Sequence, residues 1–144
     1  MSVRDRIDDG MFLWEAGRRE GAFLSVLAAV AATAKRRYPK KTDRQAFEDF
    51  LAEASPARIS VEFRGELHSI EHVLYKWLRC ELIHDGGLPV DLAFISDFQP
   101  GARGLRAGGA PEYLLKLTES WFMFLVTCVR RAPEVAHLFG DQNP

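Results

Sequence analysis

Apolar residues at Val3, Ile7, Met11 and Trp14 recur at the spacing of one helical stripe, and Gly17 supplies a stop, so the chain opens with an amphipathic helix. The next stretch, Glu20 to Tyr38, is apolar on nearly every side until its basic end, where Pro39 forbids continuation. A helix without a polar face belongs at the centre of a bundle. Thr42, three residues before Gln45, fits a capping box. Ala46, Phe47, Phe50 and Leu51 give the short helix behind it an apolar face, which ends at Ser55 and Pro56.

The period then changes. Ile59, Val61 and Phe63 alternate with Arg58, Ser60, Glu62 and Arg64, and Val90, Leu92 and Phe94 alternate likewise, so these two runs are expected to pair as a small sheet. Between them, Glu66 to His84 reads as one helix. Leu67, Ile70, Val73, Leu74, Trp77, Leu78 and Leu82 cover one face, and His68, His72, Tyr75, Lys76 and Arg79 line the other. Gln99 to Pro111 has the glycine and proline content of a flexible loop. The last helix is expected from Pro111 to Arg131, its buried stripe running from Tyr113 through Leu117 and Trp121 to Cys128. These elements predict a single domain over residues 1–144, mainly all-α, with a small two-stranded β element.

Composition narrows the class. The 144 residues are 47% hydrophobic and 27% charged, enough for a real core without disulfides or a structural metal, and too few for a two-domain enzyme. The formal charge of −1 gives no overall positive field, so any contact with nucleic acid must use a local patch. The longest apolar run, Gly21 to Ala34, falls short of the ~20 residues that cross a bilayer, so no membrane association is expected. Cys80 and Cys128 with no signal peptide ahead of them suit a reducing cytoplasm.

The richest chemistry lies in Arg79-Cys80-Glu81-Leu82-Ile83-His84, followed by Asp85-Gly86-Gly87. Arginine can hold a phosphate bidentately, and histidine titrates near neutral pH, so the pair suits phosphodiester chemistry. Five residues on an ideal helix leave the two side chains about 140° apart. The helix must therefore end near Ile83 if both are to face one site. The plain alternative is a helix end, with basic residues favouring the dipole before a glycine stop.

The string LYKWLRCELIHDG resembles the signature of the HEPN family of helical-bundle proteins, in which an arginine is followed after four to six residues by a histidine near a helix end. The alanine-rich second helix with its basic end, the AFEDFL helix and the long apolar last helix agree with it, while residue-level matching is confined to Tyr75 through Gly86. The resemblance implies an HEPN-like bundle and a metal-independent endoribonuclease that uses no cofactor. In many members it is the toxin of a pair whose antitoxin is a small nucleotidyltransferase. It also implies a homodimer in which Arg79 stabilises the phosphate and His84 is acid or base across a shared cleft. Cys80 stands where these proteins usually carry asparagine or another hydrogen-bonding residue. A catalytically silent RNA- or protein-binding dimer is the alternative. Independently, cleavage by a 2′-hydroxyl needs one group to take a proton and another to give one, and two-fold symmetry would supply two histidines.

Three further features bear on function. His68-Ser69-Ile70-Glu71-His72 matches the H-x-x-E-H string of inverzincins, with no third ligand identifiable. The alternative is a polar row in which His68, His72 and Tyr75 line the cleft leading to Arg79. Lys35, Arg36, Arg37, Lys40 and Lys41 are either an RNA-binding patch or a solvated helix end. Glu81 falls on the apolar face, so it is expected to be paired, with an arginine of another helix as the candidate.

Overall fold

The computed structural model describes residues 2–55, 57–108 and 114–140. Three helices open the chain: α1 (Val3–Glu15), α2 (Arg19–Arg37) and α3 (Asp43–Ala54). Ser2 caps α1 by accepting from the Asp5 amide at 3.1 Å, and its own amide donates to Asp5 at the same distance. The Thr42–Gln45 capping box starts α3 as its spacing predicts. Helix α2 is the central element, with Phe23, Val26, Leu27, Val30 and Thr33 fully buried along it. Thr33 satisfies its hydroxyl by donating to the Ala29 carbonyl at 2.8 Å. Against α2, α1 packs so closely that a Cβ on Gly10 would lie 2.6 Å from Val26 Cγ2 and 3.3 Å from the Ala22 carbonyl.

The second half departs from an all-α bundle. Strands β1 (Ser60–Phe63) and β2 (Glu66–Ser69) form an antiparallel hairpin with Val61 opposite His68 and Phe63 opposite Glu66. Its two-residue loop, Arg64–Gly65, has positive φ at both positions, the condition for a type I′ turn. A helical run follows: α4 (Ile70–Val73), a π-helical stretch (Leu74–Cys80) and α5 (Glu81–Asp85). The next three strands are β3 (Leu92–Ile95), β4 (Leu105–Ala107) and β5 (Leu115–Thr118), in the order β3-β5-β4, with β5 parallel to β3 and antiparallel to β4. Helix α6 (Ser120–Arg130) and a 3-10 turn (Pro133–Leu138) close the fold.

The expectation of a mainly all-α, HEPN-like bundle is therefore corrected: with 58% helix, 14% strand and two separate sheets, the domain is mixed α/β. Two elements cause the difference. The run at 59–63 does form a strand, but it pairs with 66–69, which reads as the start of a helix, and not with 90–94. Leu115 and Leu117 are buried as alternate residues of a central strand, and the same leucines fit a helical stripe leading to Trp121. The expected helix start at Pro111–Tyr113 lies outside the described residues, as does the Pro56 stop. The helix itself begins at Ser120.

Loop 96–104 is fastened to the start of α6 by Asp97, whose carboxylate accepts from the Ser120 amide at 2.9 Å, from the Ser120 hydroxyl and from the Gly101 amide at 3.3 Å. These bonds, Ser120's hydroxyl foremost, hold the Asp97 carboxyl below its ordinary range.

Two outcomes follow from this packing. Gly10→Ala gains up to about 1 kcal/mol in helix propensity and loses about 1–3 kcal/mol to overpacking. Its denaturation midpoint is thus expected to fall, and a companion Val26→Ala should return most of the loss. A Gly10→Ala protein as stable as the wild type would mean that the helices part without cost. For Asp97, the depressed folded pKa means its stabilisation is present above the ordinary carboxylate range and is lost as pH falls through the folded value. The stability gap between wild type and Asp97→Asn should close on acidification, and a gap constant down to pH about 2 would refute the clamp.

Candidate functional site

The helical run Ile70–Asp85 carries the Arg79–His84 pair. Ser69 begins it by accepting from the His72 amide at 3.2 Å, and Gly86, in the left-handed region, ends it by donating to the Leu82 carbonyl at 3.2 Å. Leu74, Trp77 and Leu78 are buried, which fixes the opposite side as the exposed one. Tyr75 packs edge-on against Phe47 with ring centroids 5.3 Å apart, and the Arg79 guanidinium lies 5.5 Å from the Tyr75 ring. Arg79 is half-buried, and its Nε is fully buried with no hydrogen-bond partner. Burial, reinforced by the Cys80 thiol, holds the Tyr75 phenol above its ordinary pKa, so it stays a neutral hydroxyl.

The condition for uniting Arg79 and His84 within one chain is not met. The helix does not end at Ile83 but runs through His84, with Arg79 on its π-helical stretch and His84 in the α-helical turn that follows. His84 is exposed in the last turn, and no hydrogen bond or ion pair to a described residue orients its ring.

The histidines meet, by a different route from the one expected. His68 belongs to β2, not to a helix, and the strand-to-helix joint stacks its ring on His72 at 5.3 Å. Both rings stand edge-on to Trp77, at 4.8 and 5.6 Å. His72 Nδ1 lies 3.4 Å from Glu48, and His68 Nε2 lies 3.5 Å from Glu66. Glu71, the would-be base of a zinc site, is buried in a narrow cavity it shares with Ser55, Trp121 and Phe124. Among the described residues no cluster of three or more His, Cys, Asp or Glu could hold a metal ion. Glu81 is half-buried and acts electrostatically on Arg64 of the hairpin turn. Arg64 itself grips Asp91 at 2.7 and 3.0 Å.

The basic turn turns much of its charge inward. Arg37 donates to Glu134 at 2.7 and 3.0 Å and to Glu53 at 3.2 Å, and Lys41 lies 2.6 Å from Asp49 and 4.0 Å above the Tyr38 ring. Lys35 sits 3.4 Å from Asp43 and donates to the Lys41 carbonyl. Arg36 and Lys40 are exposed and make no ion pair with a described residue.

A cationic position that sequence reading passed over lies in the loop 99–104. The Gly104 amide donates to Thr118 Oγ1 at 2.8 Å, and its carbonyl accepts from Trp121 Nε1 at 2.8 Å. A Cβ at Gly104 would lie 2.8 Å from the exposed Phe98 ring, so a side chain here would have to push that ring aside. This anchor lays the Arg103 guanidinium on Phe124 at 3.7 Å, with Trp121 at 5.1 Å. Two clefts meet there. One, of about 720 Å³, contains Asp97, Glu119 and Met123; the other, of about 430 Å³, contains Arg37, Arg131 and Cys128. Arg103, Phe124 and Thr127 line both. The signal that could have found it is an arginine between glycines ahead of an aromatic helix.

No helix of the described residues is long and apolar enough to cross a membrane. No curated protein and no solved structure matches the chain. A family model does match, over residues 2–137, and the chain belongs to that family, the Rv1289 family.

Proposed function

We propose that this chain is a cytoplasmic, homodimeric RNA-binding protein that holds the RNA backbone through Arg79 and does not cleave it. The observation that carries the reading is Arg79 itself. A half-buried guanidinium is laid against an aromatic ring and makes no hydrogen bond or ion pair to a described residue, on a π-helical stretch of the kind that recurs at functional sites. Unspent donors on a positioned guanidinium suit a phosphate, which accepts two parallel bonds. Tyr75, kept neutral, offers a hydroxyl beside it. The motif resemblance over Tyr75–Gly86 supports RNA as the source of that phosphate. Arg36 and Lys40, the free members of the basic turn, can add long-range attraction.

Binding is favoured over the endoribonuclease reading by His84. General acid–base work needs a histidine within reach of the phosphate and a partner that fixes its tautomer. Here the helix runs through His84 rather than ending at Ile83, and no hydrogen bond or ion pair to a described residue orients the ring. Cys80 adds no strong hydrogen-bonding group beside the arginine. The free thiols Cys80 and Cys128 support a reducing compartment.

With labelled single-stranded RNA, Arg79→Ala is expected to weaken binding about 10- to 100-fold, the weight of one or two hydrogen bonds to a charged group. The slope of log affinity against log salt should also become shallower. Arg79→Lys should recover only part, because the planar fork is lost. The protein should sediment as a dimer, and the RNA should stay intact with or without EDTA. Cleavage that survives EDTA and disappears in His84→Ala would replace this reading with the shared-site endoribonuclease. RNA affinity unmoved by Arg79→Ala would overturn both.

A further inference from the structure

The geometry points to a second ligand site in the cleft between Arg103 and Arg131 on the outer face of α6, for a small ligand that joins a phosphate to a flat ring. It lies on different elements from Arg79 and does not depend on RNA binding.

Charge is the first argument. Three arginines line the 430 Å³ cleft, but only Arg37 is neutralised there, by Glu134 and Glu53. Arg103 and Arg131 make no ion pair with a described residue. Of the nearby acids, Glu119 pairs with Arg19 at 3.0 Å, Asp97 is bonded to Ser120 and keeps its charge, and neither Asp97 nor the buried Glu71 forms an ion pair with Arg103. Both free guanidiniums exert their field on the same buried thiol, Cys128, at the cleft floor. Burial pushes that thiol up to about 11, so it brings no negative charge of its own at neutral pH. Two like charges held over a neutral floor are relieved by an anion.

Shape is the second. The Arg103 guanidinium lies 3.7 Å from the Phe124 ring and 5.1 Å from Trp121, while the residue remains exposed and makes no hydrogen bond to a described residue. A guanidinium plane in that state accepts a flat ring by stacking and a phosphate oxygen at its edge. The Gly104 anchor fixes the backbone beneath it, so little ordering is needed on binding. Phe50, Ala54 and Ala132 make the rest of the wall apolar, and the volume lies in the range of small-molecule sites. A nucleotide and an aryl phosphate share this chemistry.

Calorimetric titration of the full chain with phenyl phosphate, AMP, inorganic phosphate and phenol separates the terms. At least one of the two ring-bearing phosphates should bind about tenfold or more tightly than inorganic phosphate and phenol, and the tighter of the two identifies the source. Arg103→Gln and Arg131→Gln should each lower that affinity about tenfold or more, with an unchanged melting temperature. Arg79→Ala should leave it as in the wild type, so that this site and the RNA reading stand or fall separately. Inorganic phosphate binding as tightly as the ring-bearing ligands would overturn the proposal, leaving a bare anion site. So would the absence of saturable heat with all four, or affinity indifferent to Arg103→Gln.

Discussion

The Phe23 ring, fully buried near the start of α2, is met from three directions: by Trp14 of α1 at 5.9 Å, by Phe94 of β3 stacked at 4.2 Å, and by Phe122 of α6 at 5.6 Å. Trp14 and Phe122 stack on each other at 4.2 Å, closing the cluster. An aromatic side chain is worth about 1.5–3 kcal/mol when buried, and ring pairs add about 0.5–1.5 kcal/mol. A four-residue strand such as β3 has little cohesion of its own, so its place against α2 rests on Phe94. Once β3 is set, β5 follows by parallel pairing and delivers α6 directly, because only Glu119 separates them. Arg19 then spans the outside of the cluster, 3.9 Å above Trp14 and bonded to Glu119.

That order of assembly places the two cationic sites. The hairpin and the π-helical stretch are joined through Trp77, which stands edge-on to Phe63 at 4.8 Å, so Arg79 is carried by elements packed on α2 and α3. The Arg103 loop is held by Thr118 and Trp121, and so depends on β5 and α6. Neither site lies where positive charge is densest along the chain. The run from Lys35 to Lys41 is the obvious basic cluster, yet its geometry ties Lys35, Arg37 and Lys41 to carboxylates. Pairs of that exposure contribute only about 0–1 kcal/mol each to stability. Their larger effect is to cancel field. What a polyanion meets is the residue of that cancellation, which in this cluster is Arg36 and Lys40.

The first half of the fold was legible because its signals are local. Helical spacing, the Thr42–Gln45 capping box and Pro39 each act over a turn or two of helix, whereas the Ser2–Asp5 box emerges only in the structure. The second half was not, because its elements are defined by partners. Glu66–Ser69 has no strand alternation, and its sole buried-face neighbour is the histidine His68. It becomes a strand because Arg64–Gly65 turns the chain back on β1. Leu115 and Leu117 satisfy two periods at once, and pairing with β3 and β4 decides between them. The stacked histidines were legible as neighbours although the helix that seemed to unite them does not extend that far. The π-helical stretch leaves no mark in the hydrophobic pattern. Arg103 was hidden for a different reason: glycine-rich composition signals backbone freedom, whereas Gly104 lies in a seam where a Cβ would have to push the Phe98 ring aside.

Among the described residues, the Nε atoms of Arg6 and Arg79 are buried without a hydrogen-bond partner, but Arg6 still pairs with Asp9 at 2.6 Å, whereas Arg79 makes no ion pair with a described residue. A buried donor left without a partner costs about 1–3 kcal/mol, a large share of the margin that keeps a domain of this size folded. Arg37, also half-buried, shows what the same side chain does when it serves the fold: three hydrogen bonds to two carboxylates and a phenylalanine beneath. Arg79 has the ring and lacks the carboxylates. Its guanidinium is positioned by packing and left uncompensated in charge, which is the condition in which an external anion gains most from binding and the folded chain gains least from its absence.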